Sequence, residues 1–297
     1  MKKNIQIVEK SKIWFAFSLI LIAISIGSLF INGLNFGIDF IGGTIVTIEL
    51  NTPFETSDAK ALIEEYDSSA DVTYAGEAKT QVIISTKKDL STDDRQALFA
   101  KFQEKYNLED TDLLSIDTVS PSIGAEMANS AMIAAVVAVL LMLVYITFRF
   151  EFMFGLAAVV ALINDLIIVL GVYSIFQIQV NSPLIAALLT ILGYSINDTI
   201  VVFDRIRENR PKFGKYEFAS LVDTSVSQTL RRSINTSFTT LLAIGALYVF
   251  GVPAVQDFAL PLMVGIVCGT YSSIFVAGTL WCKIKEFQVS KRTVVKN

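Results

Sequence analysis

The sequence predicts a polytopic α-helical membrane protein, with six transmembrane helices and a small α+β domain inserted after the first of them. Three observations carry that reading. The 297 residues are 53% hydrophobic and only 18% charged, and the mean hydropathy of +0.57 exceeds that of ordinary soluble chains. The charge is unevenly spread: residues 33–126 hold 18 Asp and Glu against 7 Lys and Arg, whereas the remainder holds 10 against 17. Outside that acidic block lie apolar runs of about 20 residues, enough helix to cross a hydrocarbon core of about 30 Å.

The first run covers 14–32 and follows Lys2, Lys3, Lys10 and Lys12. It is longer than the core of a signal peptide and no A-x-A cleavage pattern follows, so it reads as a retained anchor behind a short N-terminal segment, 1–13. A five-helix membrane part then occupies 127–282, with spans at 128–148, 153–175, 183–203, 233–251 and 258–282, followed by a tail, 283–297. Between the fourth and fifth spans, within 213–230, Phe218, Leu221, Val222, Val226 and Leu230 recur at helical spacing among charged residues. That pattern predicts a short amphipathic helix lying on the inner membrane surface.

Basic residues set the orientation. Arg149, the cluster from Arg205 to Lys215, Arg231 and Arg232, and the Lys283 to Lys296 tail all fall on one side, whereas 176–182 and 252–257 hold no Lys or Arg. The positive-inside bias therefore places both termini in the cytoplasm and residues 33–126 outside. Within that outer block the period alternates: strand-like 43–50, helical 57–66, strand-like 71–76 and 80–86, helical 91–102, strand-like 113–120. The βαββαβ order is that of a ferredoxin-like sandwich, with helices on one face of an antiparallel sheet.

Composition excludes much chemistry. The chain has no histidine, and its two cysteines, Cys268 and Cys282, sit together in the last apolar run, so histidine-based catalysis and a Cys or His metal site are absent. The glycine-rich GLNFGIDFIGGT at 33–44 lacks the Gly-Lys-Ser/Thr ending of a phosphate loop. No enzyme activity, cofactor or nucleic-acid partner is expected, and any work would be driven by an ion gradient or by a partner. Gly265 and Gly269 form a GxxxG pair that reads as close helix packing.

Ionisable groups inside apolar spans cost about 2.5–3.5 kcal/mol at a helix centre. Two aspartates meet that description: Asp165, after Asn164 in the third span, and Asp198, after Asn197 in the fourth. Thr190, Tyr194, Asn197 and Asp198 share one helical stripe, as do Arg232, Asn235, Thr236 and Thr239 on the fifth span. Ser195 and Thr199 add hydroxyls beside the first stripe. The helical rise puts Asp198 about 7.5 Å below the inner boundary, within reach of Arg232, and Asp165 roughly 18 Å deep. An Asp198–Arg232 pair is expected, either as a structural ion pair or as a carboxylate that alternately holds a proton and pairs with the arginine.

GLNFGIDFIGGT, ALINDLIIVLG, GYSINDTIVVFDRIRENR and SQTLRRSINTSFTTLL, in this order and spread over nearly the whole chain, resemble signatures of the SecF family. Its members are membrane subunits of the SecD/SecF protein-export complex and belong with resistance-nodulation-division type transporters. The resemblance implies residence in the bacterial cytoplasmic membrane and late, ATP-independent export of unfolded polypeptides driven by H⁺ or Na⁺ flow. It implies SecD, the SecY/SecE/SecG channel, YajC and the surrounding bilayer as partners. By position it assigns ion coupling to Asp198, Arg232 and Asn197, with Asp165, Asn164, Tyr194, Ser195, Thr199, Asn235 and Thr236 as intramembrane support. Asp39, Gly42 and Gly43 match its GIDFIGG element, at the base of the outer domain.

Two other readings stand beside it. A six-span half-transporter for a small molecule or lipid has the same layout, although an outer domain confined to 33–126 is small for capturing cargo. An intramembrane aspartyl protease would need Asp165 and Asp198 to share a proton, yet the helical rise separates them in depth by roughly 10 Å.

Overall fold

The computed structural model describes residues 6–76, 79–88 and 90–294; Lys2, Lys3 and Lys296, part of the orientation argument, lie outside the described residues. Helix α1 (Ser11–Ile31) leads through a single-turn helix, α2 (Ile38–Ile41), into an α/β unit. That unit runs β1 (Gly43–Glu49), α3 (Thr56–Ile63), β2 (Asp71–Ala75), β3 (Gln81–Thr86), α4 (Thr92–Tyr106) and β4 (Leu113–Val119). Then follow α5 (Pro121–Arg149), α6 (Phe152–Ile175), α7 (Ser182–Asn209), α8 (Phe218–Phe250), α9 (Pro253–Tyr271) and α10 (Gly278–Val294). A π-helical stretch, Ser272–Ala277, joins the last two without a break. Among the described residues, six helical segments, the last running from Pro253 to Lys291, are long and apolar enough to cross a membrane.

The α/β unit is one sheet in the order β2-β3-β1-β4, every neighbouring pair antiparallel. Alternation selects its inner face: Val46 and Ile48 of β1 and Val82 and Ile84 of β3 are buried with Val72, beneath Ala59 and Ile63 of α3 and Leu98, Phe99 and Phe102 of α4. Helix α4 starts at a capping box, in which Ser91 Oγ accepts from Asp94 N at 3.2 Å and the Asp94 carboxylate accepts from Ser91 N at 3.2 Å. It stops at Asn107, whose φ of 54° ends the turn.

In the connection between α3 and β2, Asp67 is 5% exposed. Burial pushes its carboxyl up, but donors from Ser69 and Thr86 outweigh that and hold it below the usual carboxylate range. Thr86 Oγ1 donates at 2.6 Å, Ser69 Oγ at 2.6 Å and Ser69 N at 2.9 Å.

The unit is joined to the helices through the GIDFIGG segment. Asp39 accepts from both the backbone N (2.8 Å) and Oγ (2.6 Å) of Ser182, the first residue of α7, where a carboxylate also meets the positive end of the helix dipole. Gly37 N and Val180 N exchange backbone bonds with Val180 O and Asn35 O. Gly42 and Gly43 have φ of +83° and +151°; a Cβ on Gly43 would stand 2.1 Å from the carbonyl oxygen of Thr86. Glycine is required there both by backbone conformation and by the approach of β3.

Among the helices α6 is the most enclosed, with Ala157, Ala158, Ala161, Leu162 and Val169 buried against its neighbours. Small residues permit the close contacts: a Cβ on Gly265 or Gly269 of α9 would fall 2.4 Å from Ile191 or 2.9 Å from Ser195 of α7. The GxxxG pair is thus spent on packing within this chain.

The separate amphipathic helix expected over 213–230 is corrected. Residues from Phe218 onward belong to the same 33-residue helix as the fifth span. Leu221, Val222 and Val226 are buried in a cluster with Val202, Ile206 and Trp281 rather than laid on a membrane surface. Nothing in 218–250 interrupts the backbone bonds, since no proline or glycine precedes Gly245, so a change of surroundings along the helix did not require a change of element.

Three outcomes are expected. Gly43→Ala should lower the stability of the solubilised protein by at least about 1–3 kcal/mol, the cost of a strained backbone position before the clash is added. Gly27→Ala in α1, where a Cβ meets nothing within 4 Å, should leave the melting temperature unchanged or slightly raised. For Asp67, the depressed folded value means that its contribution is complete above the unfolded value of about 3.9 and is lost as pH falls through the folded value. Asp67→Asn should therefore flatten the acid limb of a pH titration of β3 amide exchange.

Candidate intramembrane polar site

Helix α7 separates two polar clusters. Ser195 and Thr199, one turn apart, face α6 and the π-helical stretch, while Asp198 faces α8. A rotation of about 100° per residue turns Asp198 away from its neighbour Thr199, so the two side chains reach different helices.

The first cluster is closed. Asp165 of α6 is 1% exposed and both carboxylate oxygens are occupied. Asn164 Nδ2 donates to Oδ1 at 3.0 Å, and Ser195 Oγ and Ser272 Oγ donate to Oδ2 at 2.7 and 2.8 Å. Ser273, the next residue, bonds Thr199 Oγ1 at 2.7 Å and donates to the Ser195 carbonyl at 3.2 Å. The widened π turn lets two consecutive serines both point into the protein; both are 0% exposed. Three hydrogen bonds fix the carboxylate in one place.

The second cluster is open and under-satisfied. Asp198 is 4% exposed; Ser233 and Ser237 of α8 stand beside its carboxylate, yet neither its Oδ2 nor the buried Ser233 Oγ makes a hydrogen bond of ordinary length among the described residues. One turn on, Ser237 is occupied by Thr270 Oγ1 of α9 at 2.6 Å. Buried polar atoms without partners are uncommon and call for a reason.

The expected Asp198–Arg232 ion pair is not formed among the described residues. Arg232 and Ser233 are adjacent, about 100° apart on the helix; Ser233 takes the inward position and Arg232 is exposed. Arg232 instead lines a cavity of about 320 Å³ that also holds Asp204 and Glu208. The single stripes are corrected as well: Thr190 and Asn197 are exposed while Asp198 is buried, and Asn235 and Thr239 are exposed on α8. Tyr194 does meet α8, its OH donating to Thr240 Oγ1 at 3.2 Å. Asp165 and Asp198 share no hydrogen bond, so the proton-sharing dyad of a protease is not assembled.

Sequence reasoning missed Ser233, Ser237, Thr270, Ser272 and Ser273. Their signal was present as small hydroxyl residues four or three apart in SINTSF and TYSS. Serines in apolar helices also bond their own backbone, as Ser225 does to Leu221 O at 2.7 Å, so spacing alone does not single them out.

Comparison with known proteins decides the family. The family described as "Protein export membrane protein SecD/SecF, C-terminal" matches residues 99–287. The "Protein translocase subunit SecF" of Sebaldella termitidis is 40% identical over 296 residues, 96% of this chain and 93% of that protein. The chain belongs to the SecF family. The SecD/SecF GG motif matches 27–53, which contains Gly42, Gly43 and Asp39. The SecF of Vibrio alginolyticus is 38% identical over 285 residues, 95% of this chain and 90% of that protein.

A crystal structure of SecDF from Thermus thermophilus, described as a translocon-associated membrane protein, superposes with a TM-score of 0.80 at 38% identity. It covers 96% of this chain and 39% of the SecDF chain. This SecF-family chain is a multi-pass membrane protein and a translocase accessory subunit, not an enzyme.

The two clusters should respond differently to loss of a hydroxyl. Ser272→Ala removes a donor from a buried carboxylate and should cost about 1–3 kcal/mol of stability. Ser233→Ala removes a hydroxyl that has no partner and should stay within about 0.5 kcal/mol. Denaturation midpoints of the two variants in the same detergent check the contrast.

Proposed function

We propose that this SecF-type subunit is the ion-coupled membrane half of a two-part export machine, in which Asp198 is the group that loads and unloads. The observation that carries the reading is its unpartnered carboxylate oxygen, buried opposite an unpartnered Ser233 hydroxyl. A carboxylate with unmet bonding capacity is where a proton or Na⁺ changes the energy most; the Asp165 carboxylate, with both oxygens engaged although the neighbouring Asn164 Oδ1 has no partner, is suited to holding α6, α7 and the π turn together. Arg232, one residue from Ser233, would pair with Asp198 only after a modest rotation of α8, which supplies a second state without unfolding anything.

The partner follows from exposure. Asn197, Arg232 and Asn235 lie on the surface of α7 and α8 beside the coupling cluster, where contact with lipid would be costly. The matching SecDF chain is more than twice as long, and in Thermus thermophilus the SecF-like part is fused within SecDF. We take the polar seam to be covered by a SecD subunit. The SecY/SecE/SecG channel and YajC are proposed as further partners on the family resemblance alone, and unfolded exported polypeptides as the cargo.

The α/β unit is proposed to be a ferredoxin-like domain, supported by its βαββαβ order and β2-β3-β1-β4 sheet. The basic residues on the opposite face support an extracytoplasmic unit and cytoplasmic termini. The bonds from Ser182 to Asp39 then have a mechanical meaning. They join the base of the outer domain to the first turn of the helix that carries Asp198 about 24 Å away, so a tilt of α7 moves the domain directly. One elementary charge crossing about 100 mV yields about 2.3 kcal/mol, a bias of roughly 40-fold between two states. That suffices to rectify the sliding of an emerging chain without ATP.

Asp198→Asn and Arg232→Met, each assembled with SecD and the channel in proteoliposomes, should retain assembly and lose gradient-dependent completion of export. Varying the H⁺ and Na⁺ gradients independently identifies the ion. Normal gradient-driven export by either variant would overturn the assignment.

A further inference from the structure

On the membrane face opposite the α/β unit, the ends of α6, α7 and α10 and the α7–α8 connection line a cavity of about 260 Å³, apart from the Asp165 and Asp198 clusters. Its rim is cationic. Arg207, Arg210, Lys215 and Lys285 line it against the single carboxylate of Glu151.

Two of the four charges are already matched: Lys285 to Glu151, and Arg207 to Asp204 at 3.2 Å. Arg210 has no carboxylate partner among the described residues. Its guanidinium donates to the carbonyls of Gly214 and Lys215, each at 3.0 Å, and stacks over the Phe218 ring. Lys215 is exposed and its Nζ has neither an ion pair nor a hydrogen bond among the described residues. Two cations without counter-charge sit over one cavity.

The floor is aromatic. Trp281 stacks on Phe154 at 4.5 Å and meets Phe218 edge-on at 6.0 Å. Its indole is 3% exposed, and Nε1 is a buried donor with no partner. Tyr216, 65% exposed, stands at the mouth.

We propose that this cavity binds the headgroup of an anionic phospholipid. The phosphate would rest between Arg210 and Lys215, and the glycerol and ester region against Trp281, whose N–H then has an ester or phosphate oxygen to reach. Free phosphate would match the rim but leave the aromatic floor uncovered. A lipid matches both, and the cavity lies where transmembrane helices end, the level at which headgroups and interfacial Trp and Tyr meet.

The chain has two tryptophans, Trp14 and Trp281, so Trp14→Phe leaves Trp281 as the sole indole reporter. Full-length Trp14→Phe protein, reconstituted with phosphatidylcholine, is titrated with brominated phosphatidylglycerol or brominated phosphatidylcholine while Trp281 emission is read. Quenching by the anionic lipid should occur at a several-fold lower mole fraction. Adding Lys215→Gln should reduce that preference about fivefold, the effect of one basic residue near the surface, and Lys215→Arg should retain it. Equal quenching by the two lipids, or an unchanged preference in Lys215→Gln, overturns the proposal. So does loss of the preference in excess inorganic phosphate at constant ionic strength, which would make this a site for a free anion.

Discussion

A carboxylate in hydrocarbon must be given hydrogen-bond donors, and the membrane half of this protein is organised around that requirement. Asp165 draws donors from its own helix, from α7 and from the turn after α9. Those bonds need backbones close together, which is why Gly269 lies against Ser195 and why the chain widens into a π turn at Ser272 and Ser273. Meeting the need of one acid thereby sets the spacing of three spans.

Asp198 shows the complementary choice. It is nearly as buried as Asp165 but left short of partners, one turn away on the same helix from a serine that is fully engaged. A carboxylate with both oxygens engaged resists change and an under-satisfied one invites it; α7 touches the first through Ser195 and carries the second, Asp198. The same helix begins at Ser182, held by Asp39 of the α/β unit. One helix therefore touches the Asp165 cluster, carries Asp198 and meets the base of the α/β unit.

The spans, the inserted α/β unit and its element order were legible because each rests on a local property. Apolar run length marks a crossing, a period of two or 3.6 marks a strand or helix, and an acid in an apolar run is conspicuous whatever surrounds it. Asp165 and Asp198 were found for that last reason. Legibility failed for the neighbours of those acids. A serine costs little in an apolar helix and carries no charge, so the spacing of Ser233, Ser237, Ser272 and Ser273 did not single them out until the helices were placed side by side. It failed also at 213–230, where a change in hydropathy along one continuous helix resembled a boundary between two.

Composition and periodicity were sufficient for the class of protein, the number of helices long and apolar enough to cross a membrane and the identity of the two acids within them, since each depends on the chain and its solvent alone. Which acid is saturated, which residue of the Arg232–Ser233 pair turns inward, and which cations over the Trp281 cavity lack a counter-charge depend on the rotation of one helix against another. That rotation is set by side-chain packing between segments far apart in the chain, such as Gly269 against Ser195, and only the assembled fold decides it.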